Sequence, residues 1–473
     1  MRRITSFVEG EWLRAKGPLA VVRDKYTNEP IAELVASTSE DVDAAVTSAL
    51  RAFEGRRIPI ADRVTILKRV AGGIATRANE LAGVITDEAG ATIAEAAKEV
   101  ERAVITLELT AEEATRLSSE AVPLEGSGAT SKFAYLMRHP LGVVCAITAF
   151  NSPLNTPLHK IAPALAAGNS VVIKPPTSTP ICCAILCDIF TECGLPPGWL
   201  NLVAGSGATV GEQLLTDQRI AFYHFTGSTE VGRRVAGHCG LRQSSLELGS
   251  IAATIVCADA DISAATKDIT RAGYAKAGQV CTSTQLVLVE APAYDVVRDG
   301  LVAAVRALTY GNPKLEATKV GPLIAVNEAK RVCSWMDDAI GAGADRLVGG
   351  ARDGAVVAPA LFADVPDDAH LIRREVFGPV VSVVEVPSLV EAVARYNSSP
   401  YGLSVGVFTR DVGRAFHAVH HLRSGTIHIN AASSSRLDAM PFGGVKQSGR
   451  GKEGPKYAME EMTERRLVVW HGV

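Results

Sequence analysis

The sequence predicts an α/β fold, with two parallel-sheet domains in succession. Three observations carry this expectation. Short apolar runs alternate with stretches of helical periodicity over most of the chain, which is the pattern of βαβ units. The runs are continuously apolar, as in "VVCAIT" and "QLVLVEA", and this suits strands covered on both faces. At 473 residues the chain has room for two or three domains, by the usual domain size.

In chain order, "SEDVDAAVTSALRAFEGR" and much of 59–118 repeat apolar residues at helical spacing. Segment 119–140, "SEAVPLEGSGATSKFAYLMRHP", interrupts the alternation with a Gly/Ser-rich, hairpin-like insertion. A first strand series follows: "VVCAIT", "SVVIKP", "LNLVAG" and "FYHFTGS". A second series is "ATIVCADA", "QLVLVEA", "VVSVVEV", "SVGVFT" and "TIHIN". The chain closes on a strand-like run in "EEMTERRLVVWHGV". The expected division is 1–118 with 141–249, then 250–450, with 119–140 and 451–473 set apart. Those last two segments suit either an intersubunit sheet or an ordinary surface hairpin and tail.

Composition narrows the function. Hydrophobic residues make up 47% and charged residues 21%, with a net charge of −3. That balance gives no electrostatic case for nucleic acid or an anionic membrane. No run approaches the ~18 apolar residues of a membrane span, and "MRRITSFVEGEW" lacks the apolar core of a signal peptide. A cytoplasmic protein is expected. The nine cysteines are odd in number and scattered, unlike a disulfide framework. Four of them lie in "PICCAILCDIFTEC", an apolar helical pattern with no histidine. They read as small core residues, and no metal site is expected.

Several strand ends carry chemistry. "LVAGSGATVGEQLL" nearly matches the dinucleotide glycine pattern, with Gly205, Gly207 and Gly211, but Val210 stands at the third glycine position. "HFTGSTEVGRR" offers Gly227 and Ser228 at another strand-to-helix turn. Free N–H groups and a hydroxyl there suit a phosphate, and a tight packing turn is the alternative. Lys174 ends the strand of "SVVIKPPTSTP", at the edge where open parallel sheets bind ligands. Asn151 of "AFNSPLN" is either an oxyanion donor or a turn asparagine bonding its own backbone. Glu247 of "SSLELGS" is either a buried general base with a raised pKa or a salt-bridged strand end. Cys281 of "AGQVCTSTQ" sits at a Gly-Gln turn at the mouth of a strand, a setting that suits a nucleophile more than core filling.

Taken in order, "AFNSPLN", "ALAAGNSVVIKP", "HFTGSTEVGR", "LELGS", "GQVCTSTQ", "EVFGPVV" and "MPFGGVKQSGRGKEG" resemble the NAD(P)-dependent aldehyde dehydrogenase superfamily from about residue 7 to the end. Glu247 precedes Cys281 by 34 positions, the spacing of the family's motif pair. The resemblance implies two doubly wound domains, one for the dinucleotide and one catalytic, with 119–140 and the C-terminus forming an oligomerisation arm in a homodimer or homotetramer. It implies Cys281 as nucleophile, Asn151 and the Cys281 N–H as oxyanion donors, and Glu247 as the base that hydrolyses a thioester. It gives NAD or NADP to Lys174, Thr177, Gly227, Ser228, Gly249, Glu375 and Phe377. Thr177 stands where many relatives carry a glutamate that excludes NADP, so both cofactors are expected to work.

Other departures are Ser250 and Ile251 after "ELG", Phe150 in place of a tryptophan, and Leu286 in place of an arginine. By distance from the motifs, the resemblance to the family implies that Ser152, Thr156, His159, Arg436 and Phe442 line the aldehyde tunnel. Such a wall suits a short hydroxylated or anionic aldehyde, because burying unpaired polar groups against an alkyl chain is costly. "LDAMPFGG" and "ELGS" also resemble the lactaldehyde and phosphonoacetaldehyde branch. Alternatively, Arg436 turns outward to pair with Asp438. The competing functions are a CoA-acylating enzyme, a cysteine hydrolase or thioesterase, and a silent binding protein of the same fold. Retention of Glu247 and of the cofactor set argues against them.

Overall fold

The computed structural model describes residues 1–124 and 132–472. The Gly/Ser-rich tip of the predicted insertion, 125–131, lies outside them.

The first sheet has eight strands, in the order Gly449–Arg450, Gln243–Glu247, Ile220–Thr226, Val143–Ile147, Ser170–Lys174, Leu200–Leu202, Phe7–Val8 and Glu11–Trp12. The five strands from Gln243–Glu247 to Leu200–Leu202 are mutually parallel. Their side chains alternate between two cores. Val144, Ala146, Val171 and Ile173 face the helices Ile60–Thr76, Ile93–Ala114, Asn155–Ala167 and Ile181–Glu192, while Val143, Cys145, Val172 and Tyr223 face Ser39–Glu54 and Thr229–Cys239. Burial on both faces is why these strands read as unbroken apolar runs. The helices begin where the sequence supplies caps: Thr38 with Asp41 and Thr92 with Glu95 each close a capping box, satisfying otherwise orphaned N–H groups. Cys182, Cys183 and Cys187 pack in the first core.

The second sheet orders its strands Asp345–Val348, Ala360–Ala363, Val380–Val386, Thr284–Glu290, Ala252–Val256, Ser404–Phe408 and Thr426–Ile429. All but the first pair in parallel, around a core of their own. A third, antiparallel sheet joins Lys132–Pro140 to Thr463–His471 and to Glu120–Val122.

One expectation needs correction. The C-terminal segment is not all arm: Pro455–Glu461 is a helix whose Ala458 and Met459, with Met462, are buried in the first core. Just before it, Gly449–Arg450 pairs with Gln243–Glu247. Apolar residues at helical spacing draw this stretch back into the first domain. The glycine-rich turn differs from a dinucleotide fingerprint: Gly207–Gly211 is a wide π-type helical turn capped by Ser206. Val210 packs under Gly205, where a Cβ would meet it at 2.6 Å.

Candidate active site

The strand ends select one location. Asn151, Lys174, Gly227 and Glu247 lie at or just beyond the C-terminal ends of parallel strands in the first sheet. The order reverses between Val143–Ile147 and Ile220–Thr226, the switch point at which open sheets collect ligands. The second sheet meets this edge with its opposite end. Cys281 precedes the strand Thr284–Glu290 and Glu375 precedes Val380–Val386.

The Cys281 loop is fixed on several sides. The Asn151 amide donates to the Gln279 carbonyl at 2.9 Å, so this asparagine does not bond its own turn. Gln279 donates to the Pro322 carbonyl, and its own side-chain oxygen accepts from the Ile324 N–H. At Gly278 a Cβ would fall 2.0 Å from the Gly378 carbonyl oxygen, at φ +72°, so only glycine lets "GQVC" and "VFGP" touch. Beyond Cys281, the Ser433 hydroxyl donates to the Thr282 carbonyl at 2.8 Å. This ties the strand mouth to the loop that bears Arg436.

Glu247 is buried at the end of its strand and makes no salt bridge; its Oε1 has no partner among the described residues. Burial and the neighbouring Glu453 push its carboxyl up to about 8, against the pull of Arg436, Lys160 and the Cys281 thiol. Half-buried Cys281 is likewise pushed well above a free thiol, by burial and then by Glu247, with Arg436 pulling the other way. Behind Glu247 lies an ion pair that is wholly buried. Lys160 Nζ donates to Glu453 Oε1 at 2.8 Å and to Thr226 Oγ1 at 2.7 Å.

The residues expected around a dinucleotide form a second cluster. Ser228 caps the helix Thr229–Cys239 and accepts from the Val231 N–H. Gly227 has its own packing reason, since a Cβ would meet the Phe225 ring at 2.6 Å. Lys174 Nζ donates to the Pro175 carbonyl, and burial lowers the ammonium to about 8. Thr177 is exposed on the turn that follows. Glu375 accepts from the Ser250 N–H at 2.8 Å, and burial raises it to about 7. A Cβ on Gly249 would lie 2.8 Å from its second oxygen. Phe377 holds a left-handed backbone, φ 48°, with its ring edge-on to Phe150 at 5.8 Å. The Ser250 hydroxyl is buried without a partner. An orphaned hydroxyl, a carboxylate with spare acceptor capacity and a helix N-terminus fit a bound dinucleotide.

Facing the thiol from another side, Arg436 turns inward rather than outward. Its Nη2 donates to Glu453 Oε2 at 3.1 Å, and its guanidinium carbon stands 3.9 Å from the Phe442 ring centre. Asp438 is taken by other partners: a bidentate Arg102, Asn155 and His159 Nε2 at 2.9 Å. Asn155 and His159 reach the same oxygen because they lie four apart on one helix, on a shared face. The structure thus gathers His159, Arg436 and Phe442. Ser152 instead accepts from Lys276 Nζ at 2.7 Å, and Thr156 is half-buried at the start of the helix Asn155–Ala167.

Comparison with known proteins gives the family. The profile of the aldehyde dehydrogenase family matches residues 12–468. The chain belongs to the aldehyde dehydrogenase family. It is 43% identical to a 3-sulfolactaldehyde dehydrogenase of Priestia aryabhattai, over 98% of this chain and 97% of that protein. A lactaldehyde dehydrogenase of Methanocaldococcus jannaschii is 35% identical, over 98% of this chain and 99% of the other. Among solved structures, the NADP-dependent glyceraldehyde-3-phosphate dehydrogenase of Bacillus halodurans, complexed with NADP, superposes with a TM-score of 0.97 at 32% identity, over the whole of both chains. This aldehyde dehydrogenase therefore uses NAD or NADP to oxidise an aldehyde.

Sequence reasoning missed several residues that this aldehyde dehydrogenase uses to hold its site. Ser448 donates to the Gly249 carbonyl at 2.8 Å, and Gln285 pins the Glu375 loop through the Val376 N–H and the Leu371 and Arg374 carbonyls. Lys160 and Glu453 were hidden inside helical and glycine-rich stretches. The available signal was a lysine and a histidine adjacent on an otherwise apolar helix, "TPLHKIAPALAA", since fully buried charges are rare unless paired.

Proposed function

We propose that the enzyme oxidises a short hydroxylated or anionic aldehyde to its acid through a covalent intermediate on Cys281. The Cys281 thiol gives its proton to solvent, the thiolate Sγ attacks the aldehyde carbon, and the oxyanion is held by the Asn151 amide and the Cys281 N–H. Lys174, Thr177, Gly227, Ser228, Gly249, Glu375 and Phe377 would hold NAD(P), which when bound supplies the acceptor for the hydride lost in forming the thioester. Glu247 then takes a proton from water, whose oxygen attacks the thioester carbon. The C–S bond breaks, and the acid and thiol are released. The observation that carries this reading is one of placement: Glu247 ends a first-sheet strand with a buried, unpartnered Oε1, and Cys281 stands at the mouth of the second-sheet strand that meets the same edge. A free thiol used only for packing needs no such neighbour. Retention of that base favours water over a second thiol as acceptor, so added CoA should not accelerate turnover.

Arg436 supports the substrate class. Its Nη2 is shared with Glu453 but its Nε is buried without a partner, leaving donor capacity for a carboxylate, phosphonate or sulfonate. The name of the Priestia relative makes 3-sulfolactaldehyde the first compound to assay. The test compares kcat/KM for 3-sulfolactaldehyde, lactaldehyde, hexanal and benzaldehyde in wild type and in Arg436→Met. We expect the anionic substrate to lead and to lose about tenfold or more in the variant, the scale of a charge-assisted hydrogen bond. Better turnover of the apolar aldehydes, with no effect of the substitution on the anionic one, overturns the assignment.

The antiparallel sheet of Lys132–Pro140 and Thr463–His471 exposes Phe133 on its middle strand and Leu467 and Trp470 on its long edge strand. Such edges are normally covered, which supports an arm that joins subunits into a homodimer or homotetramer. No helix among the described residues is long and apolar enough to cross a membrane, and a cytoplasmic setting remains our reading.

A further inference from the structure

Between Tyr274 and Cys281 the chain takes a conformation that side chains avoid. Lys276 and Ala277 both lie in the left-handed region, at φ 49° and 55°. Non-glycine residues persist there only where their surroundings over-determine the backbone. Here the surroundings are explicit. The Lys276 N–H donates to Glu95 Oε1 at 2.6 Å. Its Nζ donates to Glu99 Oε2 at 2.6 Å, to the Asn151 carbonyl at 2.7 Å and to Ser152 Oγ at 2.7 Å. Glu99 Oε1 in turn accepts from the N–H groups of Leu154 and Asn155. An ammonium has three hydrogens, and all three are spent. Lys276 therefore has no donor left for a substrate and no lone pair to act as a base.

What it does have is a grip on two segments at once. One is the turn that carries Asn151, and the other is the loop that carries Cys281. The Asn151 amide closes the same bridge through the Gln279 carbonyl. We infer that Lys276 is a positioning residue that sets the separation between the Asn151 amide and Cys281, so that an oxyanion formed on the Cys281 adduct falls within reach of that amide. The inference rests on the roles proposed above for Cys281 and Asn151. Oxyanion donors act only within a narrow range of distance, so a strut that holds this gap acts on rate without touching the substrate.

The experiment is a double-mutant cycle on the full-length enzyme, read as the single-turnover rate of nicotinamide reduction with lactaldehyde. Lys276→Met removes the ammonium at similar length. Lys276→Asn places at this turn a residue that tolerates left-handed backbone but is too short to bridge, so it keeps the fold if Lys276→Met does not. Each should slow the single turnover by about tenfold or more in wild type and by less than about twofold in an Asn151→Ala background, where nothing is left to position. KM for NAD(P) should stay within about twofold, since uniform binding is untouched. Equal losses in both backgrounds, or full activity in Lys276→Asn, overturn the inference while leaving the nucleophile assignment standing. Reduction that survives Cys281→Ala overturns that assignment and the inference with it.

Discussion

The two sheets share an architecture but present opposite edges to one site. The first offers the C-terminal ends of its parallel strands, and the residues there, Asn151, Lys174, Gly227 and Glu247, stand on or within a few positions of a strand. The second offers N-terminal ends, so Cys281 and Glu375 ride on connecting loops held by bonds that are distant in sequence: Gln285 to the Glu375 loop, Ser433 to Thr282, Gly278 against Gly378. A strand end is aimed by its own sheet. A loop must be aimed by everything it touches. One edge thus supplies rigid polar groups by default, whereas the other had to be braced residue by residue.

Breaking the loop side should cost most. Cys281→Ala should abolish both dehydrogenase and esterase activity, measured as steady-state turnover of an aldehyde and of an activated ester. Near-wild-type activity would mean that the braced loop is not the reacting edge.

Next comes the strand side. Glu247→Gln should leave a burst of reduced nicotinamide while steady turnover falls by ~10²–10⁴-fold, the usual loss of a general base. The pH dependence carries a sign. A base must be ionised, and burial holds the Glu247 carboxyl at about 8, so wild-type deacylation should slow as pH falls below that value. A flat deacylation profile from pH ~6 to ~9 would show that the base is ionised throughout, contrary to a raised carboxyl.

Asn151→Ala tests the junction between the edges. Loss of one oxyanion donor should lower kcat by ~10²-fold or more, and the defect should appear in the burst rate rather than in KM for NAD(P). The smallest effect is expected at the cofactor turn. Thr177 is exposed and uncharged, so in its proposed place beside the ribose it would not repel a 2′-phosphate, and wild type should use NADP to within about a thousandfold of NAD, or better. Thr177→Glu should shift the ratio of kcat/KM toward NAD by about tenfold, ~1.4 kcal/mol. No shift would move cofactor selection to another residue.

The sequence by itself determined the alternation of strands and helices, the two parallel-sheet units and the set of reactive residues at strand ends. These depend on local pattern: apolar runs flanked by turn residues, and glycines where backbones touch. The glycine pattern of 205–211 departs from a dinucleotide fingerprint at Val210 already in the sequence, and the structure forms a wide helical turn over that residue. The helix Pro455–Glu461 was misassigned because a short amphipathic stretch does not say which core will take it.

Tertiary structure alone decided which charges meet. Lys160 reaches Glu453 across 293 positions, Lys276 reaches Glu99 across 177, and Arg102 takes Asp438 across 336. Arg436 could pair locally with Asp438 or turn inward, and nothing nearby in sequence favours either. It turns inward because Asp438 is already claimed and because Glu453 and the Phe442 ring offer a buried partner and a face. Ion pairing in a dry interior depends on distance through space, and sequence separation carries no information about that distance.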